Sequence, residues 1–290
     1  YGASSVLFVQ SSSISITKSN FQNSEGNAIR SVISNAALFI SGNKFFNTGS
    51  AAIDGYAANL DSILNNENAV IVINSSTINK NTIWHYPGSN SYYRFVHSGS
   101  SITVPQNLTL TLEAGLELRS YNYADVIDVY GTLIAKGTAA DSIRLLGFAN
   151  ATYASSHGGI IRFQPSSRNS VLEYVTIDRW GDVSSPYGAT SVLFVISSSI
   201  SISKSTIRNS EGTGLFYSAT GSATISTSTF HNNLLAIFVA SGKPIFSNCN
   251  IINNSSFGIN NTGSETVDAR YCWWGHNSGP KHASANPTGL

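Results

Sequence analysis

The chain has 290 residues, of which 41% are apolar and 11% charged, so a sizeable core is possible but charges are too few to cover the surface. Sixteen Lys and Arg balance fifteen Asp and Glu at a net charge of +1, which gives no reason to expect nucleic acid as a partner. No apolar stretch reaches the roughly 18 residues that cross a bilayer, so no membrane insertion is expected.

The composition favours strands and turns over helices. Ser, Thr and Asn crowd nearly every segment, and Gly occurs 24 times and Pro 7 times between runs of β-branched residues. Polar uncharged side chains are therefore expected to cover most of the outer surface.

A long repeat is visible from the first residue onward. Residues 1–9 read YGASSVLFV and residues 187–195 read YGATSVLFV, and the likeness extends to NSEG at 23–26 and 209–212. The constant offset of 186 residues indicates the duplication of a whole module.

A shorter period lies inside each module. Its template is apolar, any, apolar, any, any, small, any, apolar, any, Asn. Seven windows follow it: Ile14 to Asn23, Leu38 to Asn47, Ile71 to Lys80, Ile200 to Asn209, Ala223 to Asn232, Pro244 to Asn253 and Val267 to His276. The second apolar position recurs at spacings of 24 and 33 in the first module and of 23, 21 and 23 in the second.

These spacings predict an all-β fold, a right-handed parallel β-helix with coils of about 21–24 residues. The alternation turns one side of each strand inward, and a single coil cannot bury that side alone, so coils must stack. The residues predicted to share one continuous core are Ile16, Phe21, Ile202, Ile207, Ile225 and Phe230.

The Asn that closes five windows predicts a tight corner. Asn tolerates left-handed backbone, and its amide can bond the amide one coil above. The alternative is that Asn is merely frequent in loops. The five positions are Asn23, Asn47, Asn209, Asn232 and Asn253.

The middle and the end of the chain carry a family resemblance. Residues 102–118 read ITVPQNLTLTLEAGLEL, residues 131–138 read GTLIAKGT, and residues 270–280 read RYCWWGHNSGP. These phrases resemble surface proteins of the pectin-lyase-like right-handed β-helix superfamily. The resemblance implies an extended rod, with the final coils of one module at 1–85, a complete module at 86–280 and a tail or linker at 281–290.

The resemblance leaves the activity open, because this fold carries lyases, hydrolases, adhesins and capsule or phage-tail proteins. Its enzymes use clusters of Asp on one face. The closest candidate here is an acidic cluster of Asp178 and Asp182 with Glu173, and a second is Asp125 with Asp128, predicted to face outward. The alternative for the first is a solvated corner of mixed charge.

Cys249 and Cys272 occupy the same slot of consecutive windows. Stacked strands hold such positions about 4.8 Å apart, which suits a disulfide, but nearly parallel Cβ directions would strain it. Two free thiols and a disulfide both stay open, and no metal site or cofactor is expected.

Aromatic residues and sequons give further candidates. A sugar-stacking surface would use Trp84, Tyr92, Tyr93, Trp180 and Trp273, although aromatic residues at a module junction more often seal the joint. Glycosylation sequons begin at Asn74, Asn107, Asn150, Asn253, Asn254 and Asn260, a number that chance could give in this composition.

The sequence therefore predicts a noncatalytic extracellular element, structural or adhesive, of a larger secreted or cell-surface protein. The alternatives are a polysaccharide lyase or glycoside hydrolase, and an ice-binding solenoid based on outward Ser and Thr. Three or more charged side chains converging in one groove would favour an enzyme. The expected partners are the chain itself, end to end or laterally, further modules of the same chain, or a polysaccharide, with the N-terminal edge as the associating one.

Overall fold

The computed structural model describes residues 5–10, 13–34, 36–49, 51–96, 99–121, 124–150, 153–181, 191–196, 199–282 and 286–287. The side chains of 148–150, 153–157 and 222 lie outside this description. Within it the fold is a parallel β-solenoid, and its one helical segment is a 3-10 turn at Ala57–Asn59. The predicted all-β parallel architecture is confirmed.

One long sheet, called sheet A, runs through the whole solenoid. Eleven parallel strands stack in it, and a twelfth strand extends one of them as an antiparallel hairpin. The stacked strands are β1 (Ser5–Val9), β4 (Asn27–Ser31), β7 (Ile53–Tyr56), β9 (Val70–Asn74), β12 (Tyr92–Phe95), β15 (Glu117–Ser120), β18 (Ile143–Asn150), β22 (Val175–Asp178), β25 (Thr206–Arg208), β28 (Thr229–His231) and β31 (Asn250–Ile252), and the hairpin strand is β19 (Tyr153–His157).

Four shorter sheets complete the coils. Sheet B contains β2 (Ile14–Thr17), β5 (Leu38–Ser41) and β8 (Ile63–Leu64), and sheet C contains β3 (Asn20–Ser24) and β6 (Lys44–Thr48). Sheet D contains β10 (Ser76–Thr77), β13 (Ser101–Val104), β16 (Val126–Val129), β20 (Ile160–Phe163), β23 (Leu193–Val195), β26 (Thr213–Ser218), β29 (Leu235–Ser241) and β32 (Phe257–Asn261). Sheet E contains β11 (Thr82–Trp84), β14 (Thr109–Leu112), β17 (Thr132–Lys136), β21 (Ser170–Glu173), β24 (Ser199–Ser203), β27 (Ser222–Ser226) and β30 (Ile245–Ser247).

A single apolar core fills the inside of the stack. Five of the six residues predicted for it are buried members of one cluster, and Phe21 packs against that cluster while partly buried. Because side chains alternate along each strand, stacked coils place like residues over one another, as in the rings of Phe21 and Phe45, whose centroids lie 5.1 Å apart. The predicted continuous core is confirmed.

Coil length varies more than the sequence indicates. Paired residues on sheet A are 21 to 24 positions apart near both ends, as in Thr229↔Asn250 and Ile29↔Ile53. The separation falls to 18 for Ile53↔Ile71 and rises to 32 for Ile143↔Val175. The longer middle coils accommodate the hairpin of β18 and β19, which leaves the coil between sheets A and D.

The third template window, Ile71 to Lys80, is in the wrong register. Ile40 of β5 pairs with Ile63 and not with Ile73, so the true spacing there is 23 and not 33. Ile71 and Ile73 belong to β9 on another sheet, and Lys80 is absent from the residues with positive φ. Ile63 was missed because the segment before it forms the 3-10 turn, which interrupts the alternation.

The two copies of the repeat occupy different sheets. Strand β1 lies in sheet A, whereas β23, the matching strand of the second copy, lies in sheet D. Likewise β3 lies in sheet C and its match β25 in sheet A. The sheets change between β8 and β12, while the core stays continuous; the module boundary predicted at 85/86 stays a prediction.

The corner prediction for Asn is confirmed. All five predicted residues have left-handed φ, between 48° and 57°. Two of the exposed amides bond across coils, Asn47 Nδ2 to Asn23 Oδ1 at 3.1 Å and Asn232 Nδ2 to Asn209 Oδ1 at 3.4 Å. A fixed backbone requirement therefore explains the recurrence better than loop composition does.

A second, buried ladder occupies the small-residue slot. Asn66 Oδ1 accepts hydrogen bonds from the backbone N–H and from the Nδ2 of Asn43, both at 3.0 Å. Asn43 Oδ1 in turn accepts the N–H of Ser19 at 2.9 Å. Because coil corners turn backbone N–H groups toward the interior, these side chains supply the acceptors that the strands do not provide.

The residue before each small slot is also left-handed, and at Thr227 this creates strain. Its φ is 50°, and left-handed backbone costs a β-branched residue roughly 1–2 kcal/mol. Because the side chain is exposed, we expect Thr227→Asn to raise the free energy of unfolding by about 0.5–1 kcal/mol in denaturant titrations. Thr224→Asn, an exposed change within a regular strand, is the control, and an equal gain there would contradict the strain argument.

Candidate functional site

The outward face of sheet A carries two columns of side chains, which include several arginines and the candidate residue Asp178. One column of this face contains Arg30, Asp54, Val72, Arg94, Arg119, Leu146, Asp178, Arg208, His231 and Ile252. The neighbouring column contains Glu117, Arg144, Thr176, Thr206, Thr229, Asn250 and Trp273. Together the two columns are called face A.

The tightest group on face A surrounds Glu117. The alternation of β15 turns Leu118 inward and Glu117 and Arg119 outward, where Arg119 Nε lies 2.5 Å from Glu117 Oε1. Arg144, one coil above, places its Nη2 2.6 Å from Glu117 Oε2. The Glu117 side chain is only 7% exposed, so this carboxylate is held between two guanidinium groups and largely shielded from water.

An aromatic ring completes this group. The Arg119 guanidinium lies 3.6 Å from the ring centroid of Tyr92, a cation–π contact. Burial raises the pKa of the Tyr92 phenol, and the neighbouring Tyr121 raises it further, so Tyr92 stays neutral. Of this cluster, the sequence indicates only Tyr92 as a candidate. The i, i+2 spacing in Glu117-Leu118-Arg119 is a signal for the first ion pair, but Arg144 can be added only once the coil register is known.

The predicted acidic cluster does not form among the residues that the structure describes. Asp178 accepts hydrogen bonds from Arg208 Nε at 3.0 Å and from Asn209 Nδ2 at 2.8 Å on face A. Glu173 belongs to sheet E, where Lys204 Nζ lies 2.9 Å from its Oε1. Asp182 lies outside the described residues. The two carboxylates that are described therefore serve separate ion pairs on different faces.

His231 follows Arg208 in the same column of face A. Burial lowers the pKa of its imidazole, and the positive charge of Arg208 lowers it further. At neutral pH the ring is accordingly uncharged, and it adds no positive charge to the Asp178 pair.

The second acidic candidate also separates. Asp125 is fully buried, which corrects the expectation that it faces outward; its Oδ1 accepts the N–H of Ser100 at 2.8 Å and its Oδ2 the hydroxyl of Ser120 at 2.7 Å. Asp128 does face outward on sheet D, where Arg162 binds it through Nε at 2.8 Å and Nη2 at 2.7 Å. Asp125 thus stabilises a corner, and Asp128 joins two coils.

Ion pairs in general connect neighbouring coils. Of the eleven ion pairs among the described residues, nine join side chains on successive coils. Only Glu117–Arg119 and Asp268–Arg270 link residues two positions apart on one strand or turn. Most of the scarce charged side chains are thus paired along the axis of the solenoid.

The proposed sugar-stacking surface is wrong for three of its five aromatic residues. Trp84, Tyr93 and Trp180 are all 0% exposed and belong to the core. Trp84 stacks on Tyr93 at 5.7 Å, and its Nε1 donates to the carbonyl of Ala57 at 3.2 Å, so it seals the interior where the sheets change. Tyr92 lies on the surface beneath Arg119, and Trp273 is 48% exposed at the end of face A.

Cys249 and Cys272 lie on neighbouring coils, as the register predicted. The residues that follow them, Asn250 and Trp273, are bridge partners, and the Trp273 N–H donates to the carbonyl of Cys249 at 2.7 Å. Both thiols are free, with Cys249 buried and Cys272 half-buried.

The glycosylation sequons differ in access. Asn107 and Asn253 are exposed, and Asn260 is half-buried. The amides of Asn74 and Asn254 are engaged within the fold, Asn74 with Asp54 and Asn254 with the carbonyls of Phe230 and Ile252. The side chain of Asn150 lies outside the description. Asn107 and Asn253 are therefore the sequons best placed for a modifying enzyme.

The hydroxyl ranks that suggested ice binding are short. On sheet E, Ser201 stacks on Thr224 and Ser203 on Ser226. Val171 and Glu173 interrupt both ranks below, and the exposed Ile245 ends the first rank above, whereas Ser247 continues the second rank by one strand. Two strands thus carry the regular array.

A cavity of 1060 Å³ lies at the C-terminal end of the described solenoid. Ile251, Ile259, Val267 and Trp274 contribute apolar surface, and His276 and His282 of the following segment contribute polar surface. No group of three or more His, Cys, Asp or Glu side chains in the described part of the chain is placed to hold a metal ion. The same residues include no helix long and apolar enough to span a bilayer.

Comparison with known proteins agrees with this geometry. A family model for a right handed beta helix region matches residues 190–281, which include the second copy of the repeat from β23 to the end of the last coil. Searches of curated proteins and of solved structures gave no match. The handedness and the superfamily predicted from the sequence phrases are thereby supported; the surface-protein type stays a prediction.

Proposed function

We propose that this chain, a right-handed parallel β-helix of the pectin-lyase-like superfamily, is a noncatalytic rod that carries or presents other parts of an extracellular protein. In this proposal the protein is secreted or held at a cell surface, and its work is to span distance and to adhere. The solenoid supplies stiffness, because every coil hydrogen-bonds to the coils above and below it.

The observation that carries the proposal is the pairing of charges between coils. Glycoside hydrolysis requires two carboxyl groups across one bond, one as acid and one as base or nucleophile. On the described faces, Glu117, Asp128 and Asp178 each bind arginine instead and lie on different coils. Each pair bridges two coils and so helps to hold the stack together.

The Glu117 group is the place where the enzyme alternative is tested most sharply, because three charged side chains do converge there. If Glu117 is structural, Glu117→Gln leaves Arg119 and Arg144 without their shared carboxylate. We then expect the free energy of unfolding to fall by about 1–2 kcal/mol, because charge-assisted hydrogen bonds to Glu117 are lost while the two guanidinium groups, 38% and 54% exposed, keep much of their hydration.

The matched control is Glu265→Gln, whose carboxylate is 48% exposed and binds Lys243, and a change within about 0.5 kcal/mol is expected there. Both variants and the parent protein are incubated with neutral and acidic polysaccharides, while new reducing ends and unsaturated products are measured. No product is expected from any of them. Product from the parent that disappears in Glu117→Gln without loss of stability would establish the enzyme alternative.

Face A also favours one adhesive partner, an anionic polysaccharide. The Arg144 side chain is 54% exposed and that of Arg119 38%, and each guanidinium has more donors than Glu117 uses. Two guanidinium groups against one carboxylate leave a positive excess at this spot. In the same incubations, retention of the parent protein by acidic but not by neutral polysaccharides supports this partner, and equal retention by both contradicts it.

Association along the axis is the second part of the proposal. Partly buried apolar side chains remain at both ends of the described core, Leu7 and Ile14 at one and Ile259 and Trp274 at the other. Another coil of this kind, from a second copy or from the same protein, would complete their burial. Light scattering that shows mass rising with concentration supports contact between copies, and a constant monomer mass contradicts it.

A further inference from the structure

We propose that Cys249 and Cys272 form a thiol–disulfide exchange site, in which Cys272 attacks a low-molecular-weight disulfide and Cys249 then resolves the mixed disulfide. The site lies at the last coil of the described solenoid and is independent of the proposed structural function.

The first observation is the register of the two thiols. Asn250 and Trp273 are bridge partners, so the preceding residues, Cys249 and Cys272, occupy equivalent corners of adjacent coils. Adjacent parallel strands are about 4.8 Å apart, within the separation that a disulfide spans. The backbone separation at this site is therefore one that a disulfide can span.

The second observation is the hydrogen-bonded column to which they belong. Ser205 Oγ accepts the N–H of Val175 at 3.1 Å, and Ser228 Oγ accepts the N–H of Ser205 at 3.2 Å. The two cysteines continue this column, with the Sγ atom of Cys249 3.5 Å from the carbonyl oxygens of Ile225 and Ser247.

The two thiols are unequal. The Cys249 thiol and N–H, acting together against partial burial, lower the pKa of Cys272 to about 7. Hydrogen bonding with the Cys272 side chain, together with burial, raises the pKa of the Cys249 thiol far above its usual range. The charged groups that face Cys272 are Asp268, which opposes the thiolate, and Arg270, which holds Asp268 at 2.9 and 2.8 Å.

Access separates the roles in the same way. Cys272 is half-buried, whereas Cys249 is fully buried beneath it, with its Sγ 3.5 Å from the carbonyl oxygens of Ile225 and Ser247. A dissolved disulfide can therefore reach Cys272 first. Cys249 can react only with a sulfur already held at Cys272.

The chemistry balances without a cofactor. The Cys272 thiolate attacks one sulfur of R–S–S–R, the S–S bond breaks, and one RS⁻ leaves. Cys249 loses its proton to solvent and attacks the Cys272 sulfur, and the second RS⁻ leaves. Two protein thiols are oxidised to one disulfide, and the reagent is reduced to two thiols.

The resulting bond would join the last described coil to the one before it. Nearly parallel Cβ directions strain such a bridge, and strained disulfides are reopened readily by thiols. The site would thus form a reversible disulfide crosslink between two coils, and its state would depend on the ratio of thiols to disulfides around the protein.

The experiment follows the reaction of the native protein with glutathione disulfide by intact mass. The parent protein is expected to lose two hydrogens without retaining glutathione. Cys249→Ser is expected to accumulate one glutathione adduct at Cys272, and Cys272→Ser to stay unmodified while folded. Serine is native to this column at 205 and 228, so both variants are expected to fold, which circular dichroism checks.

The Cys249→Ser variant has no Cys249 thiol, which affects the pKa of Cys272. The pH profile of the reaction rate is therefore measured on the parent protein. Its rate should reach half its maximum near pH 7, and at pH 7 it should exceed that of an ordinary thiol by roughly threefold, after the lower nucleophilicity of a less basic thiolate is included. A half-maximum near pH 8.5, adduct retained by the parent, or modification of folded Cys272→Ser would overturn the proposal.

Discussion

Trp84→Ala is expected to lower the free energy of unfolding by about 3–5 kcal/mol, the largest single effect that the structure indicates. The side chain is 0% exposed, stacks on Tyr93 and donates to the carbonyl of Ala57. Its loss opens a cavity at the level where sheets B and C give way to sheets D and E. Chemical denaturation followed by near- and far-ultraviolet circular dichroism measures the effect.

Trp273→Ala provides the matched control, because the same residue type is 48% exposed there. A loss of at most about 1 kcal/mol is expected. Equal losses of stability for the two variants would contradict the burial of Trp84. Trp84 would then be a candidate for sugar stacking again.

Asn66→Ala is expected to destabilise the fold by about 2–5 kcal/mol, because two buried donors of Asn43 lose their acceptor at once. The alanine also withdraws the amide that donates to the carbonyl of Ile40 at 2.9 Å. Hydrogen exchange of the Asn43 amide, which the buried ladder should protect in the parent protein, provides a local readout beside the global denaturation midpoint.

For this prediction the control is Asn250→Ala, which removes an exposed amide whose contact to Thr229 is 3.4 Å long. A change within about 0.5 kcal/mol is expected. Should both asparagines have equally small effects, the buried ladder would contribute little to the stability of the fold.

The sequence was sufficient wherever the alternation and the corner chemistry coincide. The template places Ile202 and Ile225 in the core and Asn209 and Asn232 at left-handed corners, and both are found. These features arise from local steric preferences and from the period of two in a strand, which any single coil already contains.

The sequence was insufficient to predict which residues stack on one another in neighbouring coils. The sequence leaves Trp84 open between a sugar-stacking surface and a sealed joint, because the coil at the sheet change does not follow the template. Arg144 reaches Glu117 across a coil of 27 residues, outside the predicted range, so the best candidate cluster could not be assembled from spacing alone. Insertions such as the β18–β19 hairpin change the register without a clear signal in composition.

The exchange of sheets between the two copies has a consequence for multivalent contact. Phe8 and Phe194 are the same letter of the repeated phrase, yet Phe8 points outward from sheet A and Phe194 from sheet D, where it stacks on Phe216 at 4.8 Å. A flat target that contacts one side of the solenoid can therefore contact only one of the two copies of this repeated sequence. Under the proposed adhesive function, duplication would therefore lengthen the solenoid without giving one flat target two equivalent contacts.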